Sequence, residues 1–367
     1  MKVIKEIKLS NNGLLSALLI QFFLFQIIRM SVGTMSGYFS LIVKIKLFFN
    51  AVFSHIRFST GDWFYSILGV LLLYWLVRAI IRVVKREKEI AKLYSLKILI
   101  VLNVLYAWFM LSFGLLYSHK NFPQYDDPKE KLFLSDYKIV AGNLLNDCRI
   151  LREEVSVNQE GEFSVNRENM IEKLYLEQSA FYGIPQQRPN VKKSLFSPVM
   201  RKLGVLGYYN PFTGEAQVVE GFPDTSLPFT IAHEMGHQAG VAREDEANFY
   251  SFYMGESSAD KNFQYSVKYK ALNYLLREIY VNDSTFVKRV LENYSEGMKK
   301  DREREKIFYS QMSGLGSDMF SYMNNAYLKS NAQEEGVIAY NHVSKMIVSF
   351  YKKTYPALFK DEKWFNL

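Results

Sequence analysis

Two histidines four residues apart, His233 and His237, enclose the sequence Glu-Met-Gly and form an HExxH motif. Residues four apart share one face of a helix, so both imidazoles can bind a single Zn²⁺ ion. Glu234 is the next residue, where a carboxylate can act as the general base that activates a zinc-bound water. The alternative is an ordinary helix with two surface or core histidines. The spacing and the glutamate together favour a catalytic zinc site.

A catalytic zinc site keeps three protein ligands and leaves one position for water, so a third ligand has to be found. Gly240 is predicted to end the helix, and an acidic stretch follows it. In metzincins the third ligand is a histidine, which would fall at position 243 of this chain. That residue is Arg243, and a guanidinium cannot bind zinc. The metzincin interpretation is therefore excluded.

The acidic stretch supplies two candidates for the third ligand, Glu244 and Glu246. Its sequence, Glu-Asp-Glu-Ala-Asn, resembles the second helix of several membrane and regulatory HExxH peptidase families, in which the first Glu binds the metal. This resemblance implies Glu244 as the ligand. Glu246 stays the alternative because the gap from His237 to Glu244 is short. Asn248 is expected to share a face with Glu244 and to orient a ligand by a hydrogen bond.

Three apolar stretches in the first 118 residues are long enough to cross a bilayer, which takes about 20 residues of helix. We predict transmembrane helices over residues 9–28, 63–81 and 98–118. A buried helix of a soluble domain is the alternative for each stretch, and a cleaved signal peptide is the alternative for the first. Three such stretches in succession favour a membrane domain.

Basic residues indicate how these helices are oriented. The loop Arg82–Lys97 carries six Lys or Arg residues, which predicts that it is cytoplasmic. Three crossings then place the residues after Ser118 on the periplasmic, outer side of the cytoplasmic (inner) membrane. The segment 40–58 carries three Lys or Arg residues among apolar ones, and it is predicted to lie in the membrane interface.

The net charge of +8 belongs to the amino-terminal third of the chain. Residues 1–118 have a net charge of +10, and residues 119–367 have a net charge of −2. Positive charge beside apolar spans serves membrane orientation, so no nucleic-acid partner is expected. The single cysteine, Cys148, excludes an internal disulfide and a cysteine-rich metal site. Any metal must therefore be bound by histidines and carboxylates.

The chain is predicted to divide into a membrane domain (1–118), a polar linker (119–132) and a soluble domain (133–367). The predicted fold class is mainly α, with three transmembrane helices followed by a mostly helical, zincin-like domain with a short strand region. The segment GEAQVVEG (214–221) is predicted to form one edge strand. Apolar spacing and helix breakers predict helices over Ser135–Val155, Arg167–Tyr182, Thr230–Ala239, Glu244–Gly255, Ala259–Val281, Ser284–Met312 and Glu335–Tyr351.

Five longer segments extend the resemblance to nearly the full chain. They are FSTGDWFY (58–65), FGLLYSHKNF (113–122), NPFTGEAQVV (210–219), PFTIAHEMGHQAGVAREDEANF (228–249) and NNAYLKSNAQEEGVIAY (324–340). With these segments the chain resembles an uncharacterised bacterial family of polytopic HExxH membrane proteins, catalogued as a domain of unknown function. The resemblance implies three transmembrane helices followed by a zinc-metalloprotease domain, and it implies no substrate.

These features predict a membrane-anchored zinc metalloendopeptidase that binds Zn²⁺ through His233, His237 and Glu244. Glu234 is its predicted general base. The expected partners are the lipid bilayer and a polypeptide substrate that is membrane-associated or belongs to the cell envelope. Segment 214–221 is expected to pair with an extended substrate as an added strand. The alternative function is a non-proteolytic zinc-binding membrane sensor or assembly module, which would not need Glu234.

Two further expectations concern the chemistry. His342, with Tyr340, is a candidate donor to an oxyanion, and a satisfied surface or core histidine is the alternative. Proteolysis within the bilayer is not expected, because the HExxH motif lies far along the chain from the apolar spans.

Overall fold

Four helices form the amino-terminal part of the protein in the computed structural model, which describes residues 10–32, 36–182, 188–312, 322 and 339–360. They are α1 (Asn11–Val32), α2 (Ser36–Phe53), α3 (Thr60–Val84) and α4 (Lys88–Ser112). Of these, α1, α3 and α4 are long and apolar enough to cross a membrane. Large apolar side chains of α3, such as Ile67, Val70 and Leu73, are exposed, as expected for a surface that faces lipid. Three candidate membrane helices are thus present near the amino terminus, as predicted.

The helix α4 differs from its predicted span at both ends. It begins at Lys88 rather than at residue 98, because no helix breaker separates the basic residues from the apolar ones. It ends at Ser112, and Gly114–Ser118 forms a short 3₁₀ turn in which Leu115 and Leu116 are buried. The apolar residues at the end of the predicted span therefore pack inside the protein.

Nine helices make up most of the remaining described chain. They are α5 (Leu134–Glu154), α6 (Arg167–Tyr182), α7 (Ser197–Lys202), α8 (Leu227–Gln238), α9 (Glu244–Gly255), α10 (Lys261–Tyr280), α11 (Ser284–Glu292), α12 (Glu296–Ser310) and α13 (Ala339–Thr354). Six of the seven predicted helices agree with these to within a few residues, although residues 335–338 lie outside the described residues. The predicted helix 284–312 is wrong as a single element, because Ser295 accepts a hydrogen bond from the Met298 N–H and caps a new helix.

A small sheet lies beside α8 and differs from its prediction. Its strands are β1 (Val191–Lys193), β2 (Gly207–Tyr209) and β3 (Ala216–Val218), in the order β1-β3-β2. β1 pairs with β3 in parallel, and β2 pairs with β3 in antiparallel orientation. The strand predicted within residues 214–221 is therefore present, but it is central and buried rather than at an edge. Since both of its sides are paired, the prediction that it takes up a substrate as an added strand is wrong.

The HExxH helix α8 lies at the centre of this arrangement. It packs against α9 and α10 on one side and against β2 and β3 on another. Every residue of α8 from Leu227 to Gln238 is buried except His233. The surrounding core contains many fully buried aromatic side chains, among them Phe249, Tyr265 and Tyr269. A helix held on several sides keeps its side chains in a fixed arrangement, which a catalytic site requires.

Candidate metal centre

The turn between α8 and α9 brings the acidic stretch back to the histidines. Gly240 has φ +101°, a left-handed conformation that glycine adopts without strain. The Val241 N–H donates to the Gly236 carbonyl (3.0 Å) and closes the end of α8. Gly236 also permits close packing of the two helices, since a Cβ there would lie 2.9 Å from the Tyr250 ring. As a result, Glu244 at the start of α9 faces α8.

The structure brings His233, His237 and Glu244 together. Their candidate ligand atoms all lie within 4.8 Å of one another. Nε2 of His233 lies 3.2 Å from one Glu244 carboxylate oxygen, and Nε2 of His237 lies 3.6 Å from the other. Ligands of a tetrahedral zinc ion with bonds of about 2.0–2.1 Å are separated by about 3.3 Å. The two histidine–glutamate separations are close to this value, and the whole set lies within 4.8 Å, so the three side chains are near enough to bind one Zn²⁺ ion.

The far nitrogen of each imidazole has a hydrogen-bond acceptor. Nδ1 of His237 lies 2.7 Å from the Val241 carbonyl oxygen, which can only accept. Nδ1 of His233 lies 3.0 Å from Oδ1 of Asn248, the residue expected to orient a ligand. With hydrogens on both Nδ1 atoms, the lone pair of each Nε2 points toward Glu244. This is the tautomer that a metal-binding histidine needs.

The charges of the three side chains also suit a divalent cation. Burial lowers the pKa of His237 to about 4, so this ring is neutral at pH 7. Burial by itself would raise the pKa of Glu244, but the two histidines outweigh it and the pKa lies below its usual range. The pKa of His233 is lowered by burial and raised more strongly by its contact with Glu244, with a net rise. A bound metal would take the place of the proton that this rise favours on His233, because a metal binds the neutral imidazole.

Glu234 lies beside this cluster in a closed environment. Its side chain is 3% exposed, and its Oε2 has no hydrogen-bond partner within the described residues. Burial raises the pKa of Glu234 to about 8. Strand β2 passes directly over it, since a Cβ at Gly207 would lie 2.7 Å from Glu234 Oε1. A buried carboxyl group with an unused oxygen and a pKa near neutrality is suited to exchange a proton with a neighbouring water.

Glu246, the alternative third ligand, has a different partner. Its carboxylate accepts hydrogen bonds from the backbone N–H (2.9 Å) and the side-chain amide (2.7 Å) of Asn121. Asn121 lies in the segment that follows α4. The structure therefore brings Glu244, and not Glu246, to the two histidines. The role of Glu246 is to connect the start of α9 to the segment leaving the membrane helices.

Asp245 connects the start of α9 to a second segment. It accepts two hydrogen bonds from Arg243 (3.2 and 2.9 Å). It also lies 2.5 Å from Nδ1 of His342, whose Nε2 lies 2.5 Å from Asp126. Both nitrogens of His342 are thus occupied by carboxylates, so this ring has no hydrogen to offer an oxyanion. The side chain of Tyr340 lies outside the described residues.

A lysine of the membrane part supports the metal-site helix, and sequence reasoning missed it. Lys46 on α2 is 4% exposed, and its Nζ donates to the backbone carbonyl of His237 (2.7 Å). Nζ lies over the rings of Phe113 (4.7 Å) and Tyr209 (4.5 Å), and burial lowers the pKa of Lys46 well below its usual value. Its hydrogen bond satisfies one of the carbonyl groups at the end of α8, which have no partner within the helix. Two lysines within an otherwise apolar helix were the only sequence signal.

A buried carboxylate joins the sheet to the first turn of α3. Glu215 is fully buried and accepts the backbone N–H groups of Thr60 (3.1 Å) and Gly61 (2.5 Å). Asp62, also fully buried, accepts from the Tyr208 hydroxyl (2.6 Å) and the Leu195 N–H (2.8 Å). Segment 58–65 therefore supplies donors to Glu215 in segment 210–219, and its Asp62 takes donors from β2 and from the residues after β1.

Comparison with known proteins gives a family and no activity. A family model described as "Protein of unknown function (DUF3810)" matches residues 35–348. The match spans α2 to most of α13 and so includes the candidate metal centre. No curated protein and no solved structure matches the chain.

Proposed function

The chain belongs to the DUF3810 family of proteins of unknown function, and we propose that this member is a membrane-anchored, zinc-dependent metallopeptidase. The observation that carries the proposal is the convergence of His233, His237 and Glu244 within 4.8 Å, with the buried Glu234 beside them. Two imidazoles and one carboxylate are a ligand set of catalytic zinc sites, which leave a fourth position for water or substrate. Within the described part of the chain this cluster has three ligands and no fourth, which argues against a purely structural zinc site.

Each residue of the cluster then has a distinct task. The three ligands would hold Zn²⁺, which supplies polarisation of the scissile carbonyl and a lower pKa for the attacking water. Glu234 takes the proton from that water and delivers it to the leaving amine nitrogen. Glu244 is 35% exposed and His233 is 13% exposed, so the open side of the cluster is accessible to a substrate.

The substrate we propose is an extended polypeptide that is membrane-associated or belongs to the cell envelope. Among the described residues β2 has a strand partner on one side only, and it passes over Glu234. An extended chain beside β2 would therefore lie across the proposed general base. We therefore assign the pairing with substrate to β2 rather than to segment 214–221, because the strand β3 in that segment is paired on both sides.

The test compares wild type with Glu234→Gln in cells that express equal amounts of each. Glu234 binds no metal in this proposal, so the variant should keep its zinc and its melting temperature. New polypeptide termini, identified by mass spectrometry, should be abundant with wild type and lost with Glu234→Gln, because general acid–base catalysis typically contributes about 10²–10⁴-fold. Identical termini, with both proteins loaded with zinc, would favour the non-proteolytic sensor or assembly module.

We also propose that the metal centre lies on the outer side of the cytoplasmic membrane. Support comes from the basic residues around the turn between α3 and α4, which is at the opposite end of these helices from the sheet. Cysteine labelling tests this orientation, with Glu303→Cys as the exposed site in a Cys148→Ser background. A membrane-impermeant reagent should label intact cells. Labelling only after lysis would reverse the orientation and leave the site chemistry unchanged.

A further inference from the structure

The candidate metal centre lies against one end of the membrane helices. α3 and α4 are consecutive and antiparallel, so the start of α3 and the end of α4 are at the same end. Directly after α4, the ring of Phe113 packs on the ring of His237 with 5.8 Å between centroids. At the same end Glu215 beside the site caps the first turn of α3. The ends of two candidate spans are thus in contact with the elements that hold the ligands.

Two tryptophans mark the level of the membrane interface at this end. Trp63 lies in the first turn of α3 and is 51% exposed, and Trp108 lies in the last turn of α4 and is 37% exposed. Tryptophan is enriched where a membrane helix passes from hydrocarbon to water. The indole N–H of Trp108 donates to the Pro211 carbonyl (3.3 Å), two residues beyond the end of β2. The segment that follows β2 is therefore in contact with α4 at the level of Trp108.

The height of the site above the interface follows from the helix geometry. Phe113 is five residues beyond Trp108, which is a rise of about 7–8 Å along a helix axis. Since Phe113 contacts His237, the metal centre lies roughly 10 Å above the tryptophans, or about three residues of extended chain. β2 lies at the level of the site, since Gly207 is near Glu234 and the ring of Tyr209 lies 5.2 Å from that of Phe113.

From this position we infer that the substrate is a membrane-anchored polypeptide, cut within about ten residues of its own transmembrane segment. The inference rests on the proposed function and names the substrate class. A chain that leaves the bilayer beside α4 reaches the level of Glu234 after about three extended residues. A polypeptide whose cut bond is far from its transmembrane segment would have to fold back toward the membrane to bring that bond to Glu234.

The experiment uses the full chain and the termini that depend on Glu234. Each terminus is assigned its distance in residues from the nearest transmembrane segment of the protein that was cut. Most should lie within about ten residues. Glu234-dependent termini spread through soluble proteins, or more than about 20 residues from a segment, would overturn the inference and leave the peptidase activity intact. No Glu234-dependent termini would overturn the proposed function and the inference together.

A spacer series then tests height directly on one identified substrate, in proteoliposomes with the purified full chain. Twenty residues inserted between the transmembrane segment and the cut bond displace that bond by about 30 Å when the insert is a helical EAAAK repeat. Cleavage should fall by more than tenfold. A Gly/Ser insert of equal length is the matched control and should cost only about fivefold, because it allows return to the membrane surface and effective concentration falls roughly as the −3/2 power of tether length. Unchanged cleavage with the helical insert would contradict the inference.

Discussion

His342 shows how a single ionised side chain holds the region around the site together. Hydrogen bonds to Asp126 and Asp245 raise the pKa of His342 to about 9, against 6.5 for an unperturbed histidine. The folded state thus prefers the charged ring. The stabilisation of the folded state by the charged His342 ring is fully present below pH 6.5 and is lost as the pH rises through 9.

We predict that His342→Gln lowers the melting temperature of the full chain at pH 6 and has little effect near pH 9.5. Hydrogen bonds to charged groups typically contribute about 1.5–3 kcal/mol, so the difference at pH 6 is measurable. His55→Gln is the matched control, because His55 is exposed. A difference between wild type and His342→Gln that is the same at both pH values would show that the ring is held only by packing.

The individual site residues differ in how far the sequence could predict them. His233, Glu234 and His237 follow from one local pattern, since residues four apart meet on any helix. The choice of Glu244 over Glu246 depended on the turn at Gly240 and on Asn121, which is 125 residues from Glu246 in the chain. Lys46 was missed because a lysine in an apolar helix is usually placed in water or headgroups.

At the scale of elements, the approach of β2 to α8 controls the position of Glu234. A Cβ at Gly207 would lie 2.7 Å from Oε1 and 2.9 Å from Cγ of Glu234. A flexible side chain can move aside at little cost in stability, but Glu234 would then leave the position of the proposed general base. A side chain added to β2 at this position should therefore reduce catalysis more than it reduces folding stability.

We predict that Gly207→Ala reduces peptidase activity at least tenfold and keeps the zinc content and melting temperature near wild type. Gly69→Ala is the matched control, since a Cβ at Gly69 on α3 meets no atom within 4 Å. Activity is measured on a substrate found by the termini comparison. Wild-type activity of Gly207→Ala would contradict the role assigned to β2.

The helices were predicted well because their sequence pattern is local. The sheet was predicted poorly because its strands are defined by pairing between distant segments. Helices such as α6 and α9 have the predicted bounds because apolar spacing and breakers act within one segment. The sheet required three segments between residues 191 and 218, each three residues long, so no single one carries a strong signal. β3 was assigned to an edge because its partners β1 and β2 were not recognised.

At the scale of the whole molecule, the predicted membrane and soluble parts are joined by buried polar contacts. Lys46 on α2 bonds to α8, and Glu215 beside the sheet bonds to the start of α3. A piece that begins at residue 119 would lack the backbone N–H groups of Thr60 and Gly61 and so remove two of the donors to the buried Glu215 carboxylate, which costs free energy. The full chain is therefore the form in which metal binding should be measured.

The central claim is a zinc site formed by His233, His237 and Glu244 at the membrane end of the helices. Its most direct test is the zinc content of the purified full chain, with Glu244→Ala and Glu246→Ala as a matched pair. We predict one zinc per chain in wild type and in Glu246→Ala, and loss of tightly bound zinc in Glu244→Ala and His233→Ala. Full zinc content in His233→Ala, or zinc lost only with Glu246→Ala, would contradict the site.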